Sequence, residues 1–192
     1  MNTSTGSTIA ISKPPFTVVP KVPGTPFWKR VPHNIQKNGS LLLAELTIGF
    51  PFIGYKFAAA MLLFTASESP LIRALGCAFL ALAIADFAFN AINLAALTFL
   101  GRRVVPVCLL SWLIGLSPLR HRFSDLGEAL DVMLSFGIVA LVVGINLFPA
   151  LLAISPVCFY VWNACTVTNV LGAGIARLST SLSSAKSVSS KA

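Results

Sequence analysis

The stretch from Leu71 to Leu100 reads LIRALGCAFLALAIADFAFNAINLAALTFL and is almost wholly apolar. A helix needs only about 20 residues to cross a hydrocarbon core about 30 Å thick, so this stretch can span a bilayer with length to spare. Asp86, Asn90 and Asn93 sit in its middle. Their spacing, four residues and then three, puts all three side chains on one stripe of a helix. An acid and two amides at mid-bilayer are costly unless something polar faces them. Such a helix does not stand alone in lipid, and the rest of the chain reads as what surrounds it.

Composition agrees. The 192 residues are 56% hydrophobic and only 10% charged, with a mean hydropathy of +0.84. A soluble domain averages about 25% charged residues, so the deficit selects the membrane class before any motif is considered. The net charge of +8 would suggest nucleic acid in a soluble protein. Here the basic residues flank apolar segments, where they set topology and meet anionic lipid headgroups. No nucleic-acid partner is expected.

The spans follow in order. Residues 1–40 form a basic tail with prolines at 14, 15, 20, 23, 26 and 32, a composition that cannot build a core and is expected to be extended and partly disordered. No apolar segment of signal-peptide type is found in it. At its end Phe27 and Trp28 stand beside Lys29 and Arg30, aromatics and bases that suit an interfacial anchor or a partner contact. The first span is expected over 41–66, with a kink near Pro51. It holds Glu45 and Lys56, which share a face but lie about 16 Å apart along the axis, too far to pair with each other. Glu45 is expected near the headgroups. For Lys56, snorkelling is slightly preferred over a position facing Asp86.

The second span covers 71–100, with Ser69 as N-cap and Pro70 at the first helical position, and Arg102 and Arg103 end it. Residues 104–117 are too few for an ordinary crossing and are broken by Pro106 and Gly115. Arg102 and Arg103 precede this segment and Arg120 and Arg122 follow it, so it reads as re-entrant or interfacial, returning to the side it left. The third span is expected over 126–148, with Asp125 and Glu128 as a capping box and Asp131 also near the positive helix end. The fourth runs over 157–176, with Tyr160 and Trp162 as an aromatic belt and a small-xxx-small pattern at Gly172 and Ala176. A Ser/Lys tail, 179–192, is expected to be disordered.

The fold class expected is therefore all-α membrane: a four-transmembrane-helix bundle with a short re-entrant or interfacial segment between helices 2 and 3. Lys and Arg alternate along the chain as five before span one, Arg73 alone in the next turn, four between spans two and three, none near Pro149, and Arg177, Lys186 and Lys191 at the end. Both termini on the cytoplasmic or equivalent side satisfy the positive-inside rule.

Chemistry is scarce. Cys77, Cys108, Cys158 and Cys165 form no CxxC pair and read as reduced core residues. His33 and His121 lie outside the spans. No phosphate loop, HExxH or GxSxG motif occurs, so no enzyme, metal or cofactor is expected. Two functions remain. One is a non-enzymatic accessory subunit or scaffold of a membrane complex, in which Asp86, Asn90 and Asn93 join helices. The alternative is a small oligomeric proton, cation or solute transporter or channel, in which that stripe and Lys56 line a polar path extended by Asn146 and Asn163. Its partners would be lipid and other membrane subunits, or further copies of itself.

Overall fold

A computed structural model describes residues 27–117 and 125–189. Among these the chain is all helical, with no strands. Seven helices follow in order: α1 (Phe27–Ala44), α2 (Phe50–Ala66), α3 (Pro70–Leu100), α4 (Leu109–Leu116), α5 (Leu126–Gly144), α6 (Phe148–Ile154) and α7 (Pro156–Ser189). A π-helical turn, Glu45–Gly49, joins α1 to α2 without a break. Three helical stretches are long and apolar enough to cross a membrane: Arg30–Ala66, Pro70–Leu100 and Leu126–Gly144. They are compatible with a membrane-embedded protein, and large apolar side chains such as Leu71, Ile84, Phe87 and Met133 point outward from them.

Just before Pro51, near which a kink is expected from the sequence, the helix takes a π-turn. Pro51 has no N–H to donate, and Phe50 reaches five residues back to the Glu45 carbonyl. Thr47 adds to the distortion, since its hydroxyl donates to the Leu43 carbonyl at 2.8 Å, a back-bond that bends helices. A second irregularity lies at Asn38, whose φ of −107° and ψ of 17° kink α1.

The first helix begins at Phe27, earlier than the expected start at 41, and α7 continues to Ser189, through residues expected as tail. Ser69 and Pro70 take their expected places at the start of α3, although the Ser69 hydroxyl makes no capping bond. Gly101, in the left-handed region at φ 71°, closes α3. Asp125 occupies the N-cap of α5 without the side-chain bond of a capping box. Residues 1–26, Arg120, His121, Arg122 and residues 190–192 lie outside the described residues, as do the side chains of Phe27, Trp28 and Lys29.

α2 is the central helix. It packs against α3, α5, α6 and α7. The pairing with α3 is antiparallel: Lys56 meets Asp86, and Phe64 lies against Gly76. The pairing with α7 is antiparallel too, since Thr47 meets Gly172 and Gly54 meets Cys165. The apolar core gathers on α2, where Phe52, Tyr55, Ala58, Ile138, Val142, Leu151 and Trp162 form one buried cluster. Trp162 is thereby a core residue, 2% exposed and 4.9 Å from the Tyr55 ring, and not part of an aromatic belt; Tyr160 remains outside at 68% exposure. The buried polar residues gather around Lys56 and the π-turn before α2 and form a polar layer beside this cluster.

Candidate functional site

The polar layer centres on Lys56. Its Nζ lies 2.5 Å from Asp86 Oδ2 on α3 and 2.5 Å from Asp131 Oδ1 on α5. Lys56 is 0% exposed, Asp86 1% and Asp131 7%. One ammonium thus ties three helices together. Of the two positions open to Lys56 on sequence grounds, the pairing with Asp86 is the one adopted, and snorkelling is not. The reason is geometric: two carboxylates from different helices reach the same ammonium, and charge-assisted bonds offset the desolvation that snorkelling would avoid.

Asp131 belongs to this centre although sequence reasoning placed it in a cap. A signal was present. Gly127, Asp131, Ser135, Ile138 and Val142 are the buried residues of α5, and their spacing of four, four, three and four marks a single helical stripe. Asp131 lies on that apolar, inward-facing stripe, where a capping residue has no reason to be.

Glu45 joins the polar layer as well, beside the residues that follow α3. It is 1% exposed and accepts a bond from Arg103 Nε at 2.8 Å. Arg103 lies just beyond the Gly101 turn that closes α3.

The amides of the stripe have a definite partner, the backbone of residues 104–109. Asn93 Nδ2 donates to the carbonyls of Val105 at 3.1 Å and Pro106 at 3.3 Å, while its Oδ1 accepts from the N–H groups of Val104 and Val105, both at 3.2 Å. Asn90 Nδ2 donates to Val107 O at 3.4 Å and to Asp86 O at 2.8 Å. Asp86 Oδ1 accepts from the Leu109 N–H at 2.6 Å. From Asn93 to Asn90 to Asp86 the anchoring steps back along α3, one turn at a time, while the bound chain advances from 104 to 109. At 1.5 Å per residue Asp86 lies about 21 Å from the Leu100 end of α3. Non-helical backbone reaching this depth needs polar partners for its N–H and C=O groups, and the stripe supplies them. α4 then packs on the start of α5, with Gly127 directly against the Ser111 backbone.

Asn34 and Asn38 act similarly at the end of α3, and neither was singled out from the sequence. Asn34 Nδ2 donates to Thr98 O at 3.2 Å and Asn38 Nδ2 to Gly101 O at 3.1 Å. Carbonyls in a last helical turn lack partners within the helix, and these amides, four residues apart on α1, provide them.

Two residues proposed for an extended polar path do not join it. Asn146 is exposed in the turn after α5, with φ 53°. Asn163 is exposed on α7, and its amide donates to its own helix at Phe159 O, 2.8 Å away. Of the arginines in the interfacial set, Arg102 is exposed while Arg103 pairs inward. All four cysteines are free thiols. Among the described residues no group of three or more His, Cys, Asp or Glu side chains is placed to hold a metal ion.

A cavity of about 190 Å³ opens beside this centre. Its lining combines the polar side chains of Glu45, Lys56, Asp86, Asn90, Arg103, Glu128 and Asp131 with the apolar ones of Ile48, Phe52, Val107 and Val132. Comparison with protein-family models, curated proteins and solved structures finds no match for this chain.

Proposed function

We propose that this chain is a non-enzymatic four-span membrane protein serving as a small scaffold or accessory subunit of a membrane complex. One observation carries the reading: the intramembrane polar groups are engaged in holding the bundle and its own non-helical segment together. Asp86 bonds Lys56 and Leu109, Asn93 bonds residues 104–106, and Asp131 bonds Lys56. In this reading α1–α2, α3, α5 and α7 are the four spans. Residues 104–117 are in this reading a re-entrant segment that dips to the level of Asp86 and returns, which is supported by the course of α5: from Asp131, level with Asp86, it runs antiparallel to α3 toward Leu75 and Phe79, so its start faces the side where α3 finishes. The start of α1, the end of α3, the start of α5 and the end of α7 then share one side. That side carries Arg30, Lys37, Arg102 and Arg103, which makes it cytoplasmic or equivalent by the positive-inside rule.

The test is gentle extraction of the full chain into nanodiscs followed by native mass spectrometry. The scaffold reading expects a partner protein at fixed stoichiometry. A chain that emerges alone, or only with copies of itself, contradicts it.

A second reading, a small proton or cation transporter acting as an oligomer, is favoured by the cavity and by the charge at its wall, where four carboxylates face two cations. Asp86 would be its central acid. Liposome flux tests it: Asp86→Asn should abolish flux while leaving assembly intact, and full flux in that variant would rule the mechanism out.

A further inference from the structure

The cavity beside Gly49 contains two acceptors that nothing among the described residues satisfies. Glu45 Oε2 and Asn90 Oδ1 are buried and lack any hydrogen-bond partner, in residues 1% and 2% exposed. The orientation of Asn90 is fixed by its other end, since Nδ2 donates to Asp86 O at 2.8 Å and to Val107 O. Both free oxygens border the same small space. A methyl group added at Gly49 would collide with Asn90 Oδ1 and would sit 3.4 Å from Glu45 Oε2. Glycine therefore leaves the two acceptors open to the cavity. An unpartnered buried acceptor costs about 1–3 kcal/mol, so two in one place call for a donor.

Three features define that donor. It must offer at least two N–H or O–H groups at one end, to meet Glu45 Oε2 and Asn90 Oδ1. It should carry positive charge, because Glu45, Asp86, Glu128 and Asp131 line the cavity against only Lys56 and Arg103. Its remainder should be apolar, because Ile48, Phe52, Val107 and Val132 line the same cavity. A volume of about 190 Å³ exceeds what a bare ion needs.

We infer that this cavity binds a small primary ammonium compound, its NH₃⁺ head between Glu45 and Asn90 beside Gly49 and its short alkyl stem against Phe52 and Val132. Glu128 is exposed and Arg103 partly so, and they mark the entrance. The site stands whether the protein is a scaffold or a transporter, since it needs binding and not passage.

Titration of the full-length protein in nanodiscs with n-propylammonium chloride tests this, read by ligand-observed saturation-transfer NMR and by the thermal unfolding midpoint. Sodium chloride and tetramethylammonium chloride at equal ionic strength serve as comparisons. Saturable n-propylammonium binding is expected, with a rise in midpoint that neither comparison salt reproduces, since tetramethylammonium has no N–H to donate. Glu45→Gln should weaken binding at least tenfold. Ala44→Leu, which adds bulk at the cavity wall from a helical position, should weaken it comparably and keeps the test open if Glu45→Gln fails to fold. An equal response to all three salts overturns the inference, as does an absence of saturable binding or unchanged affinity in Ala44→Leu.

Discussion

Asn93 and Val105 form a reciprocal pair: the Asn93 amide donates to the Val105 carbonyl at 3.1 Å and accepts from the Val105 N–H at 3.2 Å. A side-chain amide thus does for an extended segment what a neighbouring strand would do. Val105 lies in backbone that no helix satisfies, so this pair explains how residues 104–108 can leave helical geometry within an apolar bundle.

Replacing Asn93 should release this segment. Asn93→Leu removes both donor and acceptor, and each lost bond is worth about 0.5–1.5 kcal/mol. Hydrogen exchange of amides 104–109 should accelerate, and the buried Cys108 thiol should become open to labelling. Asn93→Asp keeps the acceptor for Val104 and Val105 while losing the donor to Val105 and Pro106, so its exchange should fall between the two. Unchanged exchange in Asn93→Leu would contradict the anchoring role.

The two carboxylates on Lys56 should not be equivalent. Asp86 also accepts the Leu109 N–H at 2.6 Å, a backbone bond beyond the ion pair with Lys56 that it shares with Asp131. Asp86→Leu also removes the acceptor of the half-buried Leu109 N–H, and a lost hydrogen bond of this kind adds about 0.5–1.5 kcal/mol to the loss. It should therefore destabilise the protein more than Asp131→Leu in detergent unfolding. Equal midpoints, or the reverse order, would argue against the second role of Asp86.

Close approach of α7 to the π-turn depends on Gly172. A Cβ there would collide with the Thr47 side chain, so Gly172→Val should lower the thermal midpoint and loosen α7 from the bundle. Gly174 has nothing within 4 Å of its would-be Cβ, and Gly174→Val should change the midpoint much less. Comparable losses at both positions would show that the Thr47 contact does not set the packing.

Outside the polar layer, the amide of Asn163 should be dispensable. Its side chain is exposed and bonds only its own helix, at Phe159 O. Asn163→Ala is expected to stay within about 0.5 kcal/mol of the parent. A larger loss of stability would place Asn163 in a polar contact that this fold does not provide.

How much of this was legible in the sequence differs by level. Apolar runs and their turn residues revealed an all-helical chain, because run length and Pro or Gly punctuation are local signals. The stripe of Asp86, Asn90 and Asn93 was visible because helical spacing is local too. What faced the stripe was not, since partners 11 to 23 residues away in non-helical backbone leave no periodic trace. The partners of Glu45 and Lys56 were hidden for a related reason. Distance along one helix correctly separates them from each other, yet each finds its partner across the bundle, in Arg103 and in the two aspartates. Asp131 was misread because a cap and a buried stripe overlap at the start of α5, and only the positions beyond it distinguish the two.

The central claim is that Lys56 is held in place by charge from two helices, and a stability cycle tests it directly. Lys56→Met leaves Asp86 and Asp131 buried without their cation, and breaking a buried pair in this way costs about 3–5 kcal/mol. Adding Asp86→Asn and Asp131→Asn to Lys56→Met removes the stranded charges and keeps an acceptor for Leu109. The account predicts that this triple variant, unfolded reversibly in mixed micelles, is more stable than Lys56→Met alone, a strongly non-additive result. A triple variant less stable than Lys56→Met, with the three losses simply adding, would contradict it.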